Sequence, residues 1–281
     1  MFSEKYGYQV GKEMQHESMT EALRNRIWNV FYSFEIQDGG LNSKRISLAF
    51  IGKRTIEMEI ADKLGFMLES SSRKSPQNLI KNHILNSEWF KVYDFIEIHL
   101  LCLDNEERSK REKQYNEILE DEKVGYRIID CEVTPITDKE EICEIEKAIS
   151  SPFDAVSHHL KKALTLYSDL EAPDYENSIK ESISAVESMC SIITESNNET
   201  LGDALKQLEN RGVVIHAAMK KAFSQLYGYT SDECGIRHGK MDFKKAPEED
   251  ARYMLISCSA FVNYLKAKWS NKDKTEKSIS N

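Results

Sequence analysis

Apolar residues recur at three- and four-residue intervals through the second half of the chain, and this period decides what that half can fold into. Val156, Leu160, Ala163, Tyr167 and Leu170 form one stripe, and Ile179, Ile183, Val186, Cys190 and Ile193 a second. Ile215, Ala218, Ala222, Phe223 and Leu226 form a third; Met254, Leu255, Cys258, Phe261, Val262 and Leu265 form a fourth. A turn of about 100° per residue gathers such positions on one helical face. Four stripes with short connections bury one another best as an antiparallel bundle. Only 12 Gly and 5 Pro punctuate 281 residues, too few for a sandwich of tight turns. The fold class is therefore mainly α.

The bundle opens at Asp138, where Asp138 and Glu141 have capping-box spacing, and Ser151-Pro152 marks a helix restart. It is expected to span 138–269. The remaining 270–281, "SNKDKTEKSISN", lacks apolar content and reads as an unstructured tail. Residues 1–137 read as a separate, mostly helical domain. Leu23, Ile27, Val30, Phe31 and Phe34 share a stripe, and the apolar stretch 44–69 has a mixed period. Ser75-Pro76 predicts a cap and first helical residue, with the helix running to about Asn86. Residues 88–103 are apolar almost all round, as in a buried helix, and a charged helix is expected at 109–122. "GYRIIDCEVTPIT" (125–137) reads as a small β-hairpin turning at Asp130-Cys131 and closing this domain. No internal repeat is present.

The formal net charge of -9 and pI near 5.4 argue against broad coating of DNA, because an acidic surface repels a phosphate backbone. A local basic patch remains able to meet a short RNA segment. The cysteines at 102, 131, 143, 190, 234 and 258 contain no Cys-x-x-Cys pair and read as buried thiols of a reducing cytoplasm. No apolar run approaches the roughly 20 residues that cross a bilayer, and the first residues lack an apolar secretion signal. The expected location is cytoplasmic, with no membrane partner.

No cofactor or metal is implied. "GKRTIEMEI" holds Gly-Lys without a glycine-rich phosphate loop, and no dinucleotide fold or Ser-His-Asp nucleophile is suggested. His158-His159 has no carboxylate or cysteine at metal-ligand spacing and reads as a solvated or half-packed pair. His99, within an apolar helix, reads as a satisfied core histidine. Arg24 and Arg26 either join Lys44 and Arg45 in a basic face or pair with Glu21 and nearby acids; pairing is the default.

The candidate chemistry lies in "LYGYTSDECGIRHGK" (226–240), between the third and fourth stripes. Arg237 suits bidentate phosphate binding and stabilisation of a phosphorane-like transition state. Histidine as a residue type titrates near neutrality, so His238 suits general acid/base work. Together they fit metal-independent RNA cleavage by an attacking 2′-OH, with Asp232 and Glu233 as orienting groups. The structural alternative pairs Arg237 with Asp232 or Glu233 and leaves His238 capping a helix. A second Arg–His pair, Arg211 and His216, sits on a different connection, and His216 there reads as a core or cap residue.

"FSEKYGY", "LRNRIWN", "GYRIIDCEVTPIT" and above all "KKAFSQLYGYTSDECGIRHG" resemble bacterial AbiJ-type abortive-infection proteins. Those join a small N-terminal domain to a C-terminal helical HEPN domain (higher eukaryotes and prokaryotes nucleotide-binding). The resemblance implies a HEPN-like bundle that forms a homodimer, RNA as substrate, and defence against phage by RNA cleavage, under a phage-derived or nucleotide trigger. The family signature is an arginine, a polar residue and a histidine four to six residues on. Arg237 and His238 match the first two positions, but "GKMDFKKAPEED" supplies no later histidine. Two readings stay open: His238 takes over the acid/base role, or the module binds RNA, nucleotide or a protein partner without cutting.

Overall fold

The computed structural model describes residues 15–39, 55–67, 75–169, 172–196, 201–231 and 246–279. The chain divides into two compact units, Met1–Thr137 and Asp138–Asn281. Its described residues are mainly helical, with one small antiparallel hairpin.

In the first unit, helix boundaries follow local capping chemistry. Helix α1 spans Glu21–Gly39 and α2 Ile56–Lys63, the latter capped by Thr55, whose hydroxyl accepts from the Met58 N–H. Of the mixed-period stretch 44–69, α2 is the helical part among the described residues. Helix α3, Pro76–Asn86, has the expected limits: the Ser75 hydroxyl accepts from the Asn78 N–H at 3.3 Å and proline fills the first turn. Helix α4 is Trp89–Leu101 and α5 Asn105–Asp121, the second begun by the Asp104 carboxylate. Leu23, Ile27 and Phe31 of α1 pack with Ile80 and Ile84 of α3, Phe95 and Ile96 of α4, and Tyr115 and Leu119 of α5. Leu101 breaks the all-round burial expected of α4, standing 57% exposed.

The hairpin pairs β1 (Arg127–Ile129) with β2 (Glu132–Thr134), Ile128 opposite Val133. Its turn residues Asp130 and Cys131 both take positive φ, 50° and 74°, without a glycine. Side chains of the helices hold it there. The Glu112 carboxylate accepts from the Asp130 and Cys131 N–H groups at 3.2 Å each. Asn116 bonds both the N–H and the C=O of Ile128 at 2.8 Å, acting as a substitute strand. Glu97 accepts from the Val133 N–H at 2.7 Å.

In the second unit, α6 (Lys139–Ile149) begins at Asp138, which accepts from the Glu141 N–H as the capping-box spacing requires. Helix α7 (Asp154–Ser168) restarts after Phe153 rather than at Ser151-Pro152, because the Ser151 hydroxyl accepts from the Phe153 N–H and holds a turn there. Helix α8 (Tyr175–Thr194) is capped by Asp174 and ended by Glu195 at φ 57°. Helix α9 (Leu201–Gln207) and a 3₁₀ turn (Leu208–Arg211) lead to α10 (Ala217–Ser231) and α11 (Glu248–Ile279).

The first, second and fourth stripes are buried as expected, apart from Leu170, which lies outside the described residues. The third is not a wall of the bundle: its first member, Ile215, is buried, but it lies in the loop before α10. Ala218 and Ala222 are exposed, and Phe223 and Leu226 are half-buried, although the Phe223 ring stacks on Phe261. The fourth wall is α6, which packs on α7 and α11 through Ile145, Ala148 and Ile149. Helix α6 carries larger β-branched residues on its inner face than the alanines of α10, so it buries more apolar area per turn. Helix α11 continues to Ile279, through residues that composition assigned to an unstructured tail.

The described thiols are all free, yet Cys143 is exposed and Cys102 half-buried, so the expectation of uniformly buried cysteines fails at these two. Among the described residues, no helix is long and apolar enough to cross a membrane.

Candidate functional site

Asp232, Glu233, Arg237 and His238 lie outside the described residues; the helix ends that carry their connection do not. Helix α10 ends at Ser231, and the described chain resumes at Ala246. There the Ala246 N–H donates to Glu176 Oε1 at 2.9 Å, tying the returning chain to the first turn of α8. Two residues on, the Tyr167 hydroxyl donates to Glu248 Oε1 at 2.5 Å. Burial, then the Glu248 carboxylate, pushes the Tyr167 phenol well above the ordinary tyrosine range, which keeps it a donor. Arg252 grips Glu141 Oε2 through Nη2 at 2.6 Å and Nε at 3.2 Å, fixing the start of α11 against α6.

This anchor is acidic as well as firm: Glu248, Glu249 and Asp250 occupy the first turn of α11. Carboxylates at a helix N-terminus complement its dipole, and they repel phosphate.

The competing Arg–His pair resolves into two helix caps. Arg211 Nη2 donates to the Thr194 carbonyl at 2.8 Å and Nη1 pairs with Glu195 at 3.1 Å, closing α8. His216 Nδ1 accepts from the Ala218 N–H at 3.2 Å, opening α10. The cap role read from the sequence for His216 is found; the closing of α8 by Arg211 was not read there.

His99 is fully buried, with Nδ1 2.8 Å from the Tyr115 hydroxyl, and burial holds its imidazole down at about 3. It is a neutral core residue. Arg24 donates to the Ile84 carbonyl at 2.7 Å at the end of α3, and Arg26 pairs with Asp121 and Glu122 at 2.7 and 2.8 Å. Pairing is thus the outcome for Arg26, though with acids far along the chain rather than Glu21.

One cluster escaped the sequence reading. His159 Nδ1 lies 2.7 Å from Glu181 Oε2, and Lys162 Nζ lies 2.5 Å from Oε1 of the same carboxylate. His159 and Lys162 sit on α7 and Glu181 on α8, so no local spacing rule joins them. The three are half-exposed or exposed and make an inter-helix ion pair that ties α7 to α8. Among the described residues, no group of three or more His, Cys, Asp or Glu could hold a metal ion.

No curated protein and no solved structure matches the chain. A family model, AbiJ N-terminal domain 4, matches residues 1–151. The match runs past the first compact unit, which ends at Thr137, and takes in all of α6. It covers more than half of the 281 residues, and the chain therefore belongs to the AbiJ N-terminal domain 4 family.

Proposed function

We propose that this protein is an abortive-infection effector whose C-terminal helical unit is a HEPN-like, metal-independent endoribonuclease acting as a homodimer. The observation that carries the reading is the family match over residues 1–151, which supports an antiphage role. A second support is the position of Arg237 and His238 between the last two helices of a helical unit. In the proposed reaction Arg237 binds the scissile phosphate and neutralises charge that develops as the 2′-OH attacks phosphorus. His238 takes the 2′-OH proton or returns one to the departing 5′-oxygen. Asp232 and Glu233 hold the pair in position, and two copies of the connection meet across a two-fold axis.

Two observations favour a second reading. No histidine follows Arg237 at the family's four-to-six-residue gap, and the described frame of the connection is acidic. On this reading the module binds RNA, a nucleotide or a protein partner and cuts nothing.

The discriminating experiment measures toxicity on expression, RNA cleavage and RNA binding for wild type, Arg237→Ala and His238→Ala. The nuclease reading expects both variants to lose cleavage and toxicity, with His238→Ala still binding RNA. Cleavage undiminished in Arg237→Ala refutes it. RNA binding with no cleavage by the wild type, alone or with phage extract, selects the binding module.

A further inference from the structure

Between α1 and α5 of the first unit lies a cleft of about 330 Å³. Its rim is polar, formed by Arg26, Asn29, Gln114, Glu117 and Asp121, and Val30 and Ile118 add apolar surface. This volume is at the small end for ligand sites and holds one ring system rather than an oligomer.

The polar groups are set from behind. Arg111 is 1% exposed, and its Nη1 donates to Gln114 Oε1 at 2.9 Å and to Ser33 Oγ at 3.2 Å. A guanidinium only donates, so the amide oxygen of Gln114 must face Arg111. The Gln114 NH₂ is then left as the donor for the cleft. Arg26 is likewise fixed, between Asp121 and Glu122. Asn29 and Glu117, on opposite walls, have no hydrogen-bond partner among the described residues. The cleft thus offers fixed donors on Gln114 and Arg26, an adaptable amide on Asn29 and an acceptor-only carboxylate on Glu117.

Charge narrows the ligand. Glu117 and Asp121 oppose a phosphate, and Arg26 opposes a simple ammonium ion. A neutral, flat molecule with donors and acceptors side by side on one edge satisfies the lining. Guanine is such a molecule: its ring N–H and exocyclic amine are parallel donors that match the two oxygens of one carboxylate, and its O6 and N7 accept from amide or guanidinium donors. Adenine places an acceptor where guanine has the ring N–H. Cytosine offers a carboxylate one amine without an adjacent ring donor.

We propose that the α1–α5 cleft binds a guanine base, presented as an uncharged nucleoside, with Glu117 reading its donor edge and Gln114, Asn29 and Arg26 its acceptors. The site belongs to the first unit and stands or falls independently of the nuclease reading.

The test titrates the full chain with guanosine, adenosine, cytidine and guanosine 5′-monophosphate, by calorimetry and saturation-transfer NMR. Guanosine is expected to bind at least about tenfold more tightly than the other two nucleosides, the order of discrimination one bidentate base contact gives. The 5′-monophosphate is expected to bind no more tightly than guanosine. Glu117→Gln should weaken guanosine about tenfold or more while the melting curve stays in place, since Glu117 is exposed and supports no other side chain. Asn29→Ala should weaken it less. The proposal is overturned if guanosine shows no binding up to its solubility limit. Equal binding of adenosine, tighter binding of the monophosphate, or unchanged guanosine affinity in Glu117→Gln also overturns it.

Discussion

Glu97 gives the first unit a pH dependence that one substitution should remove. Its carboxylate accepts from the Val133 N–H at 2.7 Å, yet burial pushes its pKa from 4.5 up to about 7. The hydrogen bond pulls the other way, and the charges of Glu132 and Asp94 add to the rise. Between these two values the folded chain holds a proton that the unfolded chain has released. Stability therefore falls as pH climbs through that window, and the whole cost is present above about 7. With the folded pKa near 7 against 4.5 unfolded, and about 1.4 kcal/mol for each tenfold change in proton affinity, the cost is roughly 3–4 kcal/mol.

Glu97→Gln stays neutral at every pH, and its amide oxygen can still accept from Val133. The variant should exceed wild type in stability by roughly 3–4 kcal/mol at pH 8 and match it near pH 4.5. His99 works in the opposite sense. Its folded pKa is held from 6.5 down to about 3, by burial first and the Arg111 charge second, so its contribution is lost as pH falls below 6.5. That loss is common to both proteins and cancels in the difference. In wild type the two effects oppose each other between about 4.5 and 6.5, so Glu97→Gln should also show a steeper decline on acidification. Urea unfolding followed by tryptophan fluorescence reads this, in a Trp269→Phe background that leaves Trp28 and Trp89 of the first unit as reporters. A variant advantage that is equal at pH 5 and pH 8, or a variant less stable at pH 8, refutes the reasoning.

Removing the Glu112 carboxylate should destabilise the hairpin. Glu112→Ala withdraws the acceptor from two N–H groups in a turn whose residues both sit at positive φ, a loss of about 2 kcal/mol by urea denaturation. Asp130→Gly in that background should recover about 1 kcal/mol, because glycine pays no side-chain penalty at positive φ; a variant within about 0.5 kcal/mol of wild type would show the clamp to be idle. In the second unit, Ile145→Ala on the fully buried face of α6 should cost about 2–5 kcal/mol. Leu226→Ala on half-buried α10 should cost less than half as much, and equal losses would return α10 to the place of the fourth wall.

Legibility of the fold tracked how local its causes are. Ser75-Pro76 and the Asp138–Glu141 box state their helix starts within four residues, and both starts are found as written. The hairpin was legible too, since β-branched runs flank Asp130-Cys131. The choice of a fourth bundle wall was not. Helices α6 and α10 each carry an apolar stripe, and which one docks depends on the total surface each offers to α7 and α11, a quantity that periodicity does not measure. Nor does composition decide the end of α11: Lys, Glu and Asp without apolar neighbours suit a solvated coil and an exposed helix equally.

The same distinction separates the residues proposed for chemistry from the groups that hold them. Arg237 and His238 stand out by type and adjacency, because few side chains bind phosphate or titrate near neutrality. The groups that fix side chains elsewhere in this molecule come from distant sequence: Glu181 for His159, Glu122 for Arg26, Glu248 for Tyr167. Spacing rules cannot find such partners, since the fold alone brings them together. For Arg237 and His238 the constraint is sharper. Neighbours on a regular helix diverge by about 100°, so one copy of the pair converges on a phosphate only where the connection leaves helical geometry. Gly235 and Gly239 flank the pair and supply that freedom at both ends. If the backbone there were helical instead, a shared phosphate would need Arg237 from one protomer and His238 from its partner. Mixing the two single variants tests this, because restored cleavage in the mixture requires a site built from both chains.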